Sequence, residues 1–500
     1  MIFILLLILA FNFFYMMVLI VPSGSSWAFI LLFALIYLYY FGSISRKPEY
    51  TLYGFLLLFL FFPKSGNNFG IVQVEESARV SLSAIFLSIA AMSICLRVIQ
   101  ADSFETKISR NLKKFCGLVS VIAVLVFFLS AGRQLFGSAL GTEVLPEELA
   151  WSCPLLYGVA FLYGSVNFID RMEHIERIFT IVILSGMELA LEAVLYLFLK
   201  LPLPFAQRVI HESGRFNGFF FADYVTLTVI CFSSIGFTLY FIFAKKKPLL
   251  SLAIPLFFIP IVNTYQRTPM AAGVLILGSF LLFGGYLRRT VTALTGILFG
   301  LIVFSNKFIE ICFESLKGLF QGRVRPDYFI SYMDSWTARL GAWTRGLDVF
   351  IFSFPFGVGP GRIDQYMSTP GIPNYFGIGT EWGETQNFYW QIATGEHVTG
   401  PHNLYVSLLG EYGVAGALLI FFLIVQSISN SRSLKCIEVE LKECHPDLFF
   451  ASVAAKSVLL GIAFWSVYYH YIFYWLVFFL FFLSFFPLRS RCDHRPAEAL

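Results

Sequence analysis

Four side chains, set far apart among apolar residues, have the types needed to move a group off a phosphate. His402 stands in PHNLYVSLLGEYGVAG, Pro401 to Gly416, where a long polar loop runs into an apolar helix. Imidazole titrates near neutrality, so a wet histidine at such a boundary can take a proton from an attacking hydroxyl. Arg215 lies in HESGRFNGFFFADY, Arg267 in NTYQRTPMAAG and Arg339 in SWTARLGAWTRGLDVF. A guanidinium stays charged at any relevant pH, and its planar fork donates two parallel hydrogen bonds to a phosphate. Each residue also has a plainer reading. His402 alone reads as an interfacial helix cap, Arg215 as a loop charge, and Arg339 as the partner of Asp334 or Asp348. Arg267 resists this, because an arginine flush against two apolar helices is costly without an anionic partner.

The elements that must position these groups are helices in lipid. Of the 500 residues, 58% are hydrophobic, 18% aromatic and 13% charged. A soluble domain carries about 25% charged residues. The apolar runs are long enough to cross a bilayer, which takes about 20 helical residues. Alternating strand patterns are absent, which argues against a barrel. The expected fold is therefore an all-α polytopic membrane protein of about 12–14 transmembrane helices. The expected spans are 2–21, 26–42, 51–63, 79–97, 115–131, 151–169, 178–199, 222–243, 249–264, 268–286, 290–305, 403–426, 448–467 and 470–487. The expected organisation is transmembrane helices over 1–305, a long periplasmic loop over 306–401, further transmembrane helices over 402–487 and a cytoplasmic tail over 488–500. The N-terminal run lacks a basic flank and a small-residue cleavage site, so it reads as a retained span.

Charge sets the orientation. With both termini inside, the inner connections 43–50, 98–114, 170–177, 244–248, 287–289 and 427–447 collect Arg46, Lys47, Lys107, Arg110, Lys113, Lys114, Arg171, Arg177, Lys245–Lys247, Arg288, Arg289, Arg432, Lys435 and Lys442. That is the positive-inside bias. It places Arg215, Arg267, Arg339 and His402 together on the outer side. A net charge of +4 gives no reason to invoke nucleic acid.

The long loop has structure of its own. Residues 306–320 pattern as an amphipathic surface helix. Residues 336–353 form a second helical stretch carrying Trp343, and it ends in FPFGVGPGR, Phe354 to Arg362. The glycines there suit either a helix-terminating turn, the better reading, or an anion cradle of backbone N–H groups. Residues 363–400 are rich in Tyr, Trp, Gly, Thr, Asn and Gln, including Tyr375, Trp382, Asn387, Tyr389 and Trp390, a composition that suits sugar stacking or plain loop packing. The eight cysteines include no CxxC pair, so neither a disulfide framework nor a zinc site is expected. No DxD-type acidic pair stands near the candidate groups. Glu188 and Glu192, spaced i, i+4 inside an apolar run, need a partner or a proton. With Lys456 they keep a transporter of lipid-linked oligosaccharide as an alternative.

The order Arg215-x-x-Gly218, Arg267 at a span boundary, Arg339-x-x-x-Trp343, PFGVGPGR, then His402-Asn403 with Gly413-x-x-Gly416 resembles the O-antigen ligase and O-antigen polymerase superfamily over roughly residues 205–425. The resemblance implies a C-type glycosyltransferase fold in the bacterial inner membrane. Such an enzyme takes a glycan en bloc from an undecaprenyl-diphosphate carrier on the periplasmic face and passes it to an acceptor hydroxyl, such as that of lipid A-core. It uses no nucleotide sugar, no cofactor and no metal. His402, Arg267 and Arg339 are then the expected catalytic residues, with Arg215, Arg267 and Arg339 binding the diphosphate. Asn403, Glu411, Trp343 and Arg362 are expected to support them. Attack opposite the diphosphate implies inversion. A polymerase of the same superfamily, or a relative that glycosylates protein, needs the same clamp and base.

Overall fold

The computed structural model describes residues 47–61, 71–74, 78–100, 116–122, 124, 144–195, 224–264, 267–286, 341–359, 362–367, 371–373, 375 and 403–467. The expected spans 2–21, 26–42, 290–305 and 470–487, and the amphipathic stretch 306–320, lie outside them. Helices dominate the described residues. The exception is an antiparallel hairpin, Ile71–Val74 with Ala78–Ser81, in which Val72 pairs with Val80.

The chain forms two compact units. The first takes residues 1–280, 422–462 and 473–500, and the second takes 281–421 and 463–472. Among the described residues, helix Pro446–Ser466 is long and apolar enough to cross a membrane, and several apolar helices are shorter.

Apolar runs became helices, three of the five within three residues of their expected bounds, while Val144–Phe168 starts seven residues early and Met172–Ala193 is displaced by six and takes up most of the expected connection 170–177. Glu49–Phe61, Leu82–Gln100, Val144–Phe168, Met172–Ala193 and Tyr224–Phe243 are helical. A short 3₁₀ turn, Pro248–Leu252, leads into Ala253–Asn263, and Arg267–Phe283 follows.

Two expectations near the C-terminus need correction. The single span expected over 403–426 is two helices, Leu404–Tyr412 and Val414–Cys436, broken at Gly413. The connection expected over 427–447 is mostly helix, first the end of Val414–Cys436 and then Glu438–Cys444.

In the first unit, small residues let helices approach closely. Gly186 of Met172–Ala193 faces Ser234 of Tyr224–Phe243, and the Ser234 hydroxyl donates across to the Val182 carbonyl at 2.9 Å. Beside them Phe179 stacks on Phe237 with centroids 4.2 Å apart. Gly236 and Gly461 sit against Val458 and Ile276. At one end of this packing Lys245 binds Glu176 at 2.6 Å and Asp447 at 2.7 Å, and the Tyr240 hydroxyl donates to Glu176 at 2.9 Å. Burial alone would lower the Lys245 pKa. Hydrogen bonds to Asp447 and Glu176 outweigh it and hold the ammonium above its ordinary value.

Candidate active site

The helix after His402 is started by Asn403. Asn403 is extended (φ −147°, ψ 115°), and its side-chain oxygen accepts from the amides of Tyr405 at 2.9 Å and Val406 at 3.1 Å. This is an N-cap: Asn satisfies amide donors that a helix start leaves open. Helix Leu404–Tyr412 follows. It buries Val406, Leu408, Glu411 and Tyr412, and the Tyr405 hydroxyl donates to the Ala463 carbonyl at 3.1 Å.

The helix stops at Gly413, whose φ of 59° and ψ of −132° suit glycine almost alone. Its last carbonyls, normally orphaned, are taken by the FPFGVGPGR segment. The amide of Val358 donates to the Gly410 carbonyl at 2.9 Å, and that of Gly359 to the Glu411 carbonyl at 3.0 Å. In return the Val414 amide donates to the Pro355 carbonyl at 2.9 Å. The two glycine-bearing motifs are thus joined backbone to backbone.

The glycines are what permits this approach. Gly357 (φ 73°) and Gly359 (φ 105°) are left-handed. A Cβ on Gly357 would fall on the Glu411 carbonyl, and one on Gly413 on the Pro355 carbonyl. Gly416, the last residue of Gly413-x-x-Gly416, faces the Leu408 carbonyl in the same way. The anion-cradle alternative fails for the two described glycine amides: Gly359 N–H is bonded to the Glu411 carbonyl, and Gly357 N–H to the Ser353 carbonyl at 3.1 Å. The helix-terminating reading holds.

The second unit has its own core around this junction. Helical residues 341–353 pack Ala342 and Val349 against Val358, Ile363, Met367 and Ile372. Trp343 is half-buried on that helix. The Arg362 amide donates to the Gly359 carbonyl at 3.4 Å, and Arg362 directly precedes helix Ile363–Met367. Asn403, Glu411, Trp343 and Arg362 therefore belong to one packed unit. Arg267 is the first residue of helix Arg267–Phe283 in the other unit. Arg215, Arg339 and His402 lie outside the described residues, as do Trp382, Asn387, Tyr389 and Trp390.

Sequence reading missed Arg345. It is 2% exposed, and its guanidinium donates to the carbonyls of Met367 at 3.2 Å and Ile372 at 2.8 Å. Asp348, 3.9 Å from Arg345, accepts from the Tyr375 amide at 2.9 Å. The two residues tie the chain after Arg362 onto helix 341–353. Asp348, which with Asp334 was an expected partner of Arg339, lies beside Arg345. The i, i+3 spacing of Arg345 and Asp348 was a usable signal.

This is a mainly helical chain whose glycine motifs lock a loop onto a buried helix. Residues 250–421 match the family model described as O-antigen ligase. Over that segment, about a third of its length, the chain is similar to the O-antigen ligase superfamily. The family carries O-antigen ligase or polymerase-type function, in a membrane and on lipid-linked glycans. No curated protein matches the chain.

Proposed function

We propose that the chain is an O-antigen ligase-type glycosyltransferase of the bacterial inner membrane, with 12–14 spans and its site on the periplasmic face. It moves a glycan en bloc from undecaprenyl diphosphate to a hydroxyl of lipid A-core. The observation that carries this reading is the extent of the family match. Residues 250–421 run from Arg267 through Arg339 to His402, and include the joined PFGVG and GEYGVAG motifs.

The chemistry follows from charge. As the glycosidic bond breaks, the diphosphate gains negative charge. Arginines at Arg215, Arg267 and Arg339 stabilise it, commonly the largest catalytic contribution. His402 accepts the proton of the acceptor hydroxyl, which attacks from the opposite face and inverts the anomeric centre. The capped helix behind Asn403 gives His402 a fixed base.

The test is complementation of a deletion strain with His402→Ala and Arg267→Ala. Both proteins should be present at normal level, and both should fail to restore long glycan chains on lipopolysaccharide. If they restore wild-type transfer, the assignment is wrong. The deletion strain itself separates the two reactions of the superfamily. Polymer retained on the carrier marks a ligase, and a single repeat unit on the core marks a polymerase.

A further inference from the structure

The break at Gly413 divides the chain by what surrounds it. None of the residues 403–413 is exposed. Directly after the break Val414, Leu418, Phe421, Phe422, Val425 and Ile428 are all exposed, between 36% and 59%. Their spacing makes one stripe along helix Val414–Cys436. No charge occurs from Val414 until Arg432, about 18 residues or ~27 Å of helix, close to the thickness of a bilayer core. In the membrane reading proposed above, on which this inference rests, that stripe faces lipid and Gly413 marks the outer boundary.

A second apolar surface continues from that boundary. Ile351, Phe352, Phe354 and Phe356, at the end of helix 341–353 and the turn after it, are between 41% and 61% exposed. Pro355, between the last two, carries the carbonyl bonded to the Val414 amide. The loop thus presents four large apolar side chains at the level where the lipid-facing stripe begins.

We propose that segment 351–356 is an interfacial membrane anchor, with Ile351, Phe352, Phe354 and Phe356 set among the acyl chains of the outer leaflet. Four large apolar groups exposed within six residues are poorly placed in water, and aromatic side chains favour this depth. The anchor holds helix 341–353 and Arg362 at the headgroup level, where the diphosphate of a lipid-linked donor lies.

The test uses the full chain in vesicles of phosphatidylethanolamine and phosphatidylglycerol. A benzophenone amino acid is placed at Phe354, at Phe356 or at Phe421. After irradiation, intact mass reads covalent lipid adducts. The expected result is adducts at all three positions. Adducts at Phe421 but at neither Phe354 nor Phe356 would overturn the anchor and leave the membrane reading standing. Adducts at none of the three would overturn both.

Discussion

The amide of Gly359 donates to the carbonyl of Glu411 at 3.0 Å, across more than fifty residues of sequence. With the bonds from Val358 to Gly410 and from Val414 to Pro355, it fixes the loop that carries Arg362 to the helix that begins beside His402. Loop and helix then move as one piece, so perturbing the junction should reach both.

Gly413→Ala puts a Cβ on the Pro355 carbonyl in a backbone conformation that only glycine adopts readily. The conformational cost alone is on the order of 1–3 kcal/mol. Glycan transfer in cells should fall steeply, and the melting temperature in detergent should drop. Gly371 has nothing within 4 Å of an added Cβ, so Gly371→Ala should leave both readouts unchanged. Equal behaviour of the two variants would refute the close-approach argument.

Breaking the buried Arg345 site should also destabilise. Arg345→Met orphans the Met367 and Ile372 carbonyls and leaves Asp348 buried beside an apolar chain. Removing one partner of a buried ion pair costs about 3–5 kcal/mol. Arg345→Lys keeps the charge and loses the fork, so it should fall between. Adding Asp348→Asn to Arg345→Met should cost less than the sum of the two single changes, because the second removes the stranded charge. Denaturation of the four proteins in detergent measures this.

Much of this architecture was readable in advance, and the failures have physical causes. The apolar runs placed Tyr224–Phe243 and Arg267–Phe283 to within three residues at each end, because an unbroken apolar stretch needs no partner to be recognised. The break at Gly413 was hidden, since apolar residues continue on both sides and the signal is a single backbone angle. The bonds between PFGVG and GEYGVAG were hidden too. Backbone pairing leaves only glycines in the sequence, and those point to a turn without naming the backbone it pairs with. Arg345 went unremarked because its acceptors are carbonyls, which no residue type announces. Asn403 was placed among the supporting site residues, and its cap role was legible: Asn directly before an apolar helix is a start signal.

The Lys245 cluster predicts an alkaline limit to stability. Its pKa is held above the ordinary 10.5 by hydrogen bonds to Asp447 and Glu176, against the effect of burial. A raised folded-state pKa gives stability that is complete below the unfolded value and is lost as pH climbs through the folded one. The wild-type melting temperature should therefore show no loss from this group at neutral pH and should decline above about pH 10.5. Lys245→Met should be less stable at neutral pH by on the order of 1 kcal/mol, since the pairs are partly exposed. It should also lack this part of the alkaline decline. Parallel alkaline curves for the two proteins would remove the ion pairs from the account.

Asn403 offers a way to separate holding His402 from acting beside it. Its side-chain oxygen accepts from two amides, Tyr405 and Val406, which is all that an N-cap requires. Asn403→Ala removes the cap and should cost about 1 kcal/mol of stability, with transfer reduced as the first helical turn loosens behind His402. Asp and Ser cap as well as Asn does. If capping is the whole role, Asn403→Asp and Asn403→Ser should restore both the melting temperature and glycan transfer. If the amide group also touches substrate, the two readouts part: Asn403→Ser should melt like wild type and still fail to transfer glycan. Measuring melting in detergent beside lipopolysaccharide profiles in cells distinguishes these outcomes for each of the three substitutions.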